Sequence, residues 1–304
     1  KASLFGKRHS VNLVWTVAET VSMIAGPWAA RFLRVPMMMS VMDDPIGLIQ
    51  WGKKTFPSIE MTTRLLRRLI NVSQSHSVIS SQMASHYRET YGIQPYVLYT
   101  GANPDYVCAP RPLVRTQMQF IIGHIGRVYP SYVHGWSSLI EAVRILNARY
   151  RSPRFHVLHV GTLDDTLRCE EVTVTGWLDG HLFHQALTQF DLSFVHMSFS
   201  HEERLVAMTS FPTRVGSYIQ AQRPLISLAP HYASITHFIE ENHCGITHTE
   251  LTATDLANKI EYLVFGEGVY EDAQSNMLNL VSRYNHNQMF QIFEQMLSTT
   301  MRKK

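Results

Sequence analysis

Short apolar runs recur along this chain, and most are followed by a stretch whose apolar residues repeat at helical spacing. Gln119 to Ile125 reads as a strand. Trp136, Leu139, Ile140, Val143 and Leu146 then fall on one helical face, and Phe155 to Val160 reads as the next strand. Strand–helix units repeated in this way form parallel sheets covered by helices on both faces, so the chain is read as α/β. Residues 108–118 interrupt the rhythm with two prolines and two arginines and read as a linker. Two Rossmann-like lobes follow: residues 1–113, an incomplete first lobe; 114–284, a second; and 285–304, a last helix packing back toward the first. Ligands of such sheets sit beyond the C-terminal ends of the strands, which directs attention to Asp43, Asp44, Gly101, Gly126, Arg127, Gly161, Gly176, Trp177 and the loop before Thr213.

Composition narrows the class. With 45% hydrophobic and 17% charged residues, 304 residues can bury two ordinary cores. A net charge of +3 suits an anionic substrate or membrane surface, while no basic run points to nucleic acid. Sixteen histidines are scattered without metal-ligand spacing, so no metal is expected. Cys108, Cys169 and Cys244 are odd in number and widely spaced. They read as free thiols in a reducing compartment, and the expected location is cytoplasmic. No apolar run reaches spanning length. Arg64, Arg67 and Arg68 read as a solvated helix face, with anionic lipid on the inner face of a membrane as the alternative.

One segment carries specific chemistry. In Ser210-Phe211-Pro212-Thr213-Arg214-Val215-Gly216-Ser217-Tyr218, a proline at a first helical position is expected to open a helix. Free amides at such a turn hold anions, and a hydroxyl beside a guanidinium would grip a phosphate. The alternative is an ordinary capped, buried helix.

Four segments in order resemble glycosyltransferase family 4 (group 1), a family with the two-lobed GT-B fold. They are Ile122-Gly123-His124-Ile125-Gly126-Arg127 with His134-Gly135, Val174-Thr175-Gly176-Trp177, Phe190-Asp191-Leu192-Ser193-Phe194, and Phe211-Pro212-Thr213-Arg214 through Arg223-Pro224. In the first lobe Val78-Ile79-Ser80-Ser81 and Ser40-Val41-Met42-Asp43-Asp44-Pro45 match the same family. The resemblance implies a sugar-nucleotide donor, transfer with retention of configuration, no cofactor or bound metal, and a glycan, lipid-linked or other hydroxyl acceptor. It assigns the donor to Gly126, Arg127, His134, Gly176, Trp177, Thr213, Arg214, Ser217 and Tyr218, and catalysis on the acceptor side to Asp43 and Asp44. It also implies that the first strands of the acceptor lobe are missing and that the natural protein is longer.

The chain departs from that pattern. His134 stands where the family has Lys, Ser217 where a Glu holds the ribose, and Thr209 where another Glu is common. Two alternatives therefore stay open: a non-catalytic sugar-nucleotide-binding relative, and an epimerase on the same fold. A dinucleotide-dependent dehydrogenase does not fit, since Gly123-x-x-Gly126 is not Gly-x-Gly-x-x-Gly.

Overall fold

Ten strands, β1 to β10, are formed by residues whose β-branched and apolar side chains suit a sheet buried on both faces. The computed structural model describes residues 10–52, 58–152 and 154–302. Within them the strands are Val14–Val17, Met37–Val41, Ser75–Val78, Tyr96–Val97, Gln119–Ile125, Arg154–Val160, Val172–Gly176, Leu192–His196, Leu225–Leu228 and Gly245–His248. Twelve α-helices accompany them: α1 Ser22–Leu33, α2 Pro45–Gln50, α3 Ile59–Val72, α4 Ser81–Tyr91, α5 Val133–Arg149, α6 Gly180–Gln189, α7 Arg204–Thr209, α8 Val215–Ala221, α9 Ser234–Asn242, α10 Ala253–Phe265, α11 Val269–Arg283 and α12 His286–Arg302. Strands β1–β4 form one sheet in that order, and β10-β9-β8-β5-β6-β7 form the other. Every pairing within them is parallel, as the strand–helix alternation requires.

The chain divides into two compact units, residues 1–99 with 200–211 and 287–304, and residues 100–199 with 212–286. The first holds the four-stranded sheet. All five residues of its central strand β2 are buried. The Ser40 hydroxyl on β2 takes a hydrogen bond from the Trp15 indole at 2.8 Å and shares one with Ser77 at 2.7 Å, so three strands are tied across one row. Helix α12 closes this sheet: Thr300 bonds the Ser75 hydroxyl, Thr299 meets the Tyr96 hydroxyl at 2.9 Å, and Phe293 packs on Trp15.

In the six-stranded unit, α5 and α10 bury Leu139, Val143, Leu146, Leu256, Ile260 and Leu263 over Phe120 and Phe155. Each such side chain contributes about 1.5–3 kcal/mol by leaving water. Residues 108–118 are docked along this unit. Arg111 pairs with Asp191 at 2.5 Å, Gln117 donates to the same carboxylate at 3.0 Å, and Arg115 pairs with Glu271 at 2.8 Å. Asp191 also accepts from the Ile121 amide at 2.8 Å, so this buried carboxylate pins segment, strand and core together.

Helices α2 and α7, six residues each, are too brief to show a helical face in the sequence. The helix expected to open at Pro212 starts at Val215 instead. Pro212 to Arg214 form the turn before it, where Val215 N–H bonds Pro212 O at 3.0 Å.

Candidate functional site

The C-terminal ends of β5, β6 and β8 carry His124, His159 and His196, three strand residues that the sequence pattern buries beneath α5. All three side chains are fully buried. The His124 ring stacks between the other two, with centroids 5.0 Å from His159 and 5.2 Å from His196. Trp136 of α5 meets the His124 and His159 rings edge-on, and Tyr132 meets His196. Gly135, in the first turn of α5, lies directly over His196; a Cβ there would sit 3.4 Å from the imidazole.

Arg214, in the turn before α8, reaches down to this stack. Its Nη1 donates to His124 Nε2 at 2.7 Å, and His124 Nδ1 is 2.9 Å from His159 Nδ1. A guanidinium only donates, so His124 Nε2 accepts and its proton must sit on Nδ1, shared toward His159. Burial, then the Arg214 charge, holds His124 far below its ordinary pKa. Burial, followed by the charge of Arg214, does the same to His196. Burial brings His159 down to about 4. The stack is therefore neutral near pH 7, and it orients Arg214 without cancelling its charge. Among the described residues Arg214 has no carboxylate partner.

The backbone beside the guanidinium is built for close approach. Gly126 has φ +103, and a Cβ on it would lie 4.0 Å from Arg214 Cζ. Gly161, at φ +142, could carry no side chain at all, because its Cβ would fall 2.2 Å from Gly126 O. The first turn of α5 has no side-chain cap, and its first amide, Val133 N–H, bonds Pro130 O of the turn that precedes it. His134 lies exposed on that same turn. Arg127 is exposed, with its guanidinium 5.5 Å from the Tyr129 ring. Gly126, Arg127, His134 and Arg214 thus stand around the C-terminal end of β5 and the first turn of α5.

The other expected residues are placed as follows. Thr213 is exposed on the turn with Arg214, and Ser217 is half-buried on α8. Gly176 ends β7 at φ +75, and Trp177 after it is 67% exposed, a free aromatic face. Tyr218 is a correction. It is wholly buried, its hydroxyl donates to Phe194 O at 2.7 Å and accepts from Ile125 N–H at 3.0 Å, and nothing is left for a ribose. Burial raises this phenol to about 12.

Asp44, in the four-stranded unit, is a second correction. It is fully buried and caps α2, accepting from Ile46 N–H at 2.8 Å and Gly47 N–H at 3.0 Å. Its other oxygen accepts from the Tyr87 hydroxyl at 2.8 Å. A carboxylate so occupied is a helix cap and not an acid or base. Asp43 beside it is exposed, with one oxygen taking a 2.5 Å bond from the Ser210 hydroxyl.

Sequence reasoning singled out Gly161 and missed the histidine stack. The available signal was position: each histidine closes or nearly closes a strand of the second lobe. No group of residues suited to a metal ion occurs among the described residues. No helix among them is long and apolar enough to cross a membrane.

The sequence matches no protein-family model and no curated protein. Solved structures do match. Anabaena Alr3699/HepE in complex with UDP is 18% identical with a TM-score of 0.73, over 98% of this chain and 81% of that one. TarM is 15% identical with a TM-score of 0.65, over 98% and 57%. A glycosyltransferase from Rickettsia africae ESF-5 is 16% identical with a TM-score of 0.64, over 97% and 79%. At such identities the likeness shows the fold: α/β, of the GT-B glycosyltransferase type.

Proposed function

We propose that this chain is a glycosyltransferase that takes a sugar from a nucleoside-diphosphate donor, with retention of configuration and without a metal. The observation that carries the reading is Arg214, a guanidinium oriented by a neutral imidazole and left without a carboxylate beside Gly126 and the uncapped turn of α5. In the transfer, the bond from the anomeric carbon to the diphosphate oxygen breaks and one to an acceptor oxygen forms on the same face. The diphosphate leaves with the electron pair. Arg214, Arg127 and the α5 amides would hold that growing charge in place of a metal. Thr213 would add a hydroxyl, His134 an imidazole N–H, Gly176 and Trp177 a platform for the base, and Ser217 a weaker ribose contact than a carboxylate.

Asp43 is the group assigned to an acceptor hydroxyl, from a glycan or a lipid-linked saccharide, and polysaccharide assembly in the cytoplasm is the matching role. Uridine diphosphate is the nucleotide to test first, because HepE has been solved with UDP and with UDP-glucose. Calorimetric titration with UDP, GDP and ADP checks the reading. One of them should bind saturably, and Arg214→Ala should weaken it by about 1.5–3 kcal/mol, roughly 10- to 150-fold. Equal affinity in wild type and variant would remove Arg214 from the site and the proposal with it. Ser217, standing where a ribose-binding Glu is usual, favours a second reading in which the nucleotide binds but no sugar moves. Product formation from the bound donor separates the two.

A further inference from the structure

A cleft of about 430 Å³ opens beyond the C-terminal end of β10, between the strand end and α10. It lies on the edge of the six-stranded sheet that carries the histidine stack, the edge where ligands of parallel sheets bind. Backbone register links the two places. His248 pairs with Leu228 of β9, and Leu228 pairs with His196 of β8. At about 4.8 Å per strand, His248 lies about 10 Å from His196.

The cleft is walled by Asp255, Asn258, Lys259 and Tyr262 of α10 and by Thr249 and Glu250 after the strand. The four helix residues fall within about 100° of the helix circumference, so they present one face. The frame is fixed. His248, buried at the base, lies 3.1 Å from the Thr252 hydroxyl, which donates to Asp255 Oδ2 at 2.9 Å and leaves Oδ1 open. The Tyr262 ring rests on Gly266, where a Cβ would come within 3.2 Å of Tyr262 Cδ2. Its other face is open, and the residue is 59% exposed. Among the described residues Thr249, Glu250, Asn258, Lys259 and Tyr262 make no side-chain hydrogen bond or ion pair.

This chemistry selects a ligand. Two carboxylates outnumber one ammonium, so a phosphate or another anion is disfavoured. The Tyr262 ring is the one apolar surface in the lining, so a lipid chain finds no face to cover. A neutral, hydroxyl-rich molecule fits both facts. The C–H face of a sugar ring lies on an aromatic ring, while its hydroxyls donate to carboxylates and accept from an amide or ammonium.

We propose that this cleft is a saccharide-binding site, separate from the donor site, that holds a glycan chain about 10 Å along the same sheet edge. Its role rests on the glycosyltransferase reading: a chain anchored beside the donor stays at high effective concentration, so successive transfers reach the same chain.

Affinity electrophoresis in native gels tests this, with dextran, laminarin or glycol chitin in the gel. At least one of these neutral polysaccharides should retard the protein. Tyr262→Ala should weaken the retardation roughly fivefold and Asn258→Ala roughly threefold. Tyr262→Phe keeps the ring and should retain most of the affinity. Raised salt should leave the retardation unchanged, because charge is not its source. Both side chains are exposed, and an unchanged melting curve checks that the variants fold. Three results would overturn the proposal: no retardation by any of the three polysaccharides, retardation that Tyr262→Ala leaves unchanged, or retardation that salt abolishes. Titration of the same proteins with UDP, GDP and ADP separates the two readings. Nucleotide binding without retardation removes this site and leaves the transferase. Retardation without nucleotide binding leaves a glycan-binding site and removes the transferase.

Discussion

Lowering the pH should unfold this protein through its histidine stack, and the size of the effect can be worked out. A histidine in an unfolded chain titrates near 6.5, whereas His159 in the fold titrates at about 4. The folded pKa is the lower one, so the unfolded state takes the proton first, and stability falls as the pH drops below about 6.5. The loss continues until the folded pKa is reached. Between about pH 7.5 and 5 one such residue costs roughly 2 kcal/mol. His124 and His196 shift in the same direction, so each adds to the loss. Urea unfolding followed by tryptophan fluorescence at several pH values, in wild type and His159→Gln, measures this. The variant's absolute stability will differ for packing reasons. Its pH sensitivity above about pH 5, where few carboxylates titrate, should be smaller than wild type by about 2 kcal/mol. Equal slopes in the two proteins would mean that His159 protonates freely in the fold and that the neutral stack is wrong.

Two further substitutions test the corrected assignments. Asp44→Ala should lower stability by about 2–4 kcal/mol, because it removes the α2 cap and strands the buried Tyr87 hydroxyl, while nucleotide affinity stays unchanged in calorimetry. Tyr218→Phe should lower stability by about 1–3 kcal/mol by orphaning the Ile125 amide and Phe194 carbonyl. A titration with nucleoside against nucleobase should show the same ribose contribution in Tyr218→Phe as in wild type; a loss confined to the nucleoside would return Tyr218 to the donor site.

The α/β alternation was legible because strand and helix announce themselves by different periods, and the runs Gln119 to Ile125 and Phe155 to Val160 lie within one residue of β5 and β6. Helix α2 was not, since six residues with a glycine inside show no face; its one advertisement, Asp44 before Pro45, reads equally as a turn or as a pair of reactive carboxylates. The difference between Asp43 and Asp44 is burial, and burial depends on Tyr87, distant in sequence. Tyr218 fails for the same reason. A tyrosine one residue from a polar helix position gives no sign that its hydroxyl will be taken by two neighbouring strands.

Arg214 shows how much of an arrangement a motif leaves unstated. The sequence places a guanidinium after a proline near the ends of several strands, and that suffices to suspect an anion site. What holds the guanidinium there comes from strands about 90 and 18 residues away, which no local pattern reports. A carboxylate at position 124 would orient Arg214 as firmly, yet it would cancel most of the guanidinium's charge. A serine or threonine would leave the charge but is too short to fill the space under Trp136. A buried imidazole does both jobs, and does them only while it is neutral. The stack therefore couples the charge available at Arg214 to the proton count beneath it: a proton gained by His124 would break its acceptance from Arg214 and set two like charges 2.7 Å apart.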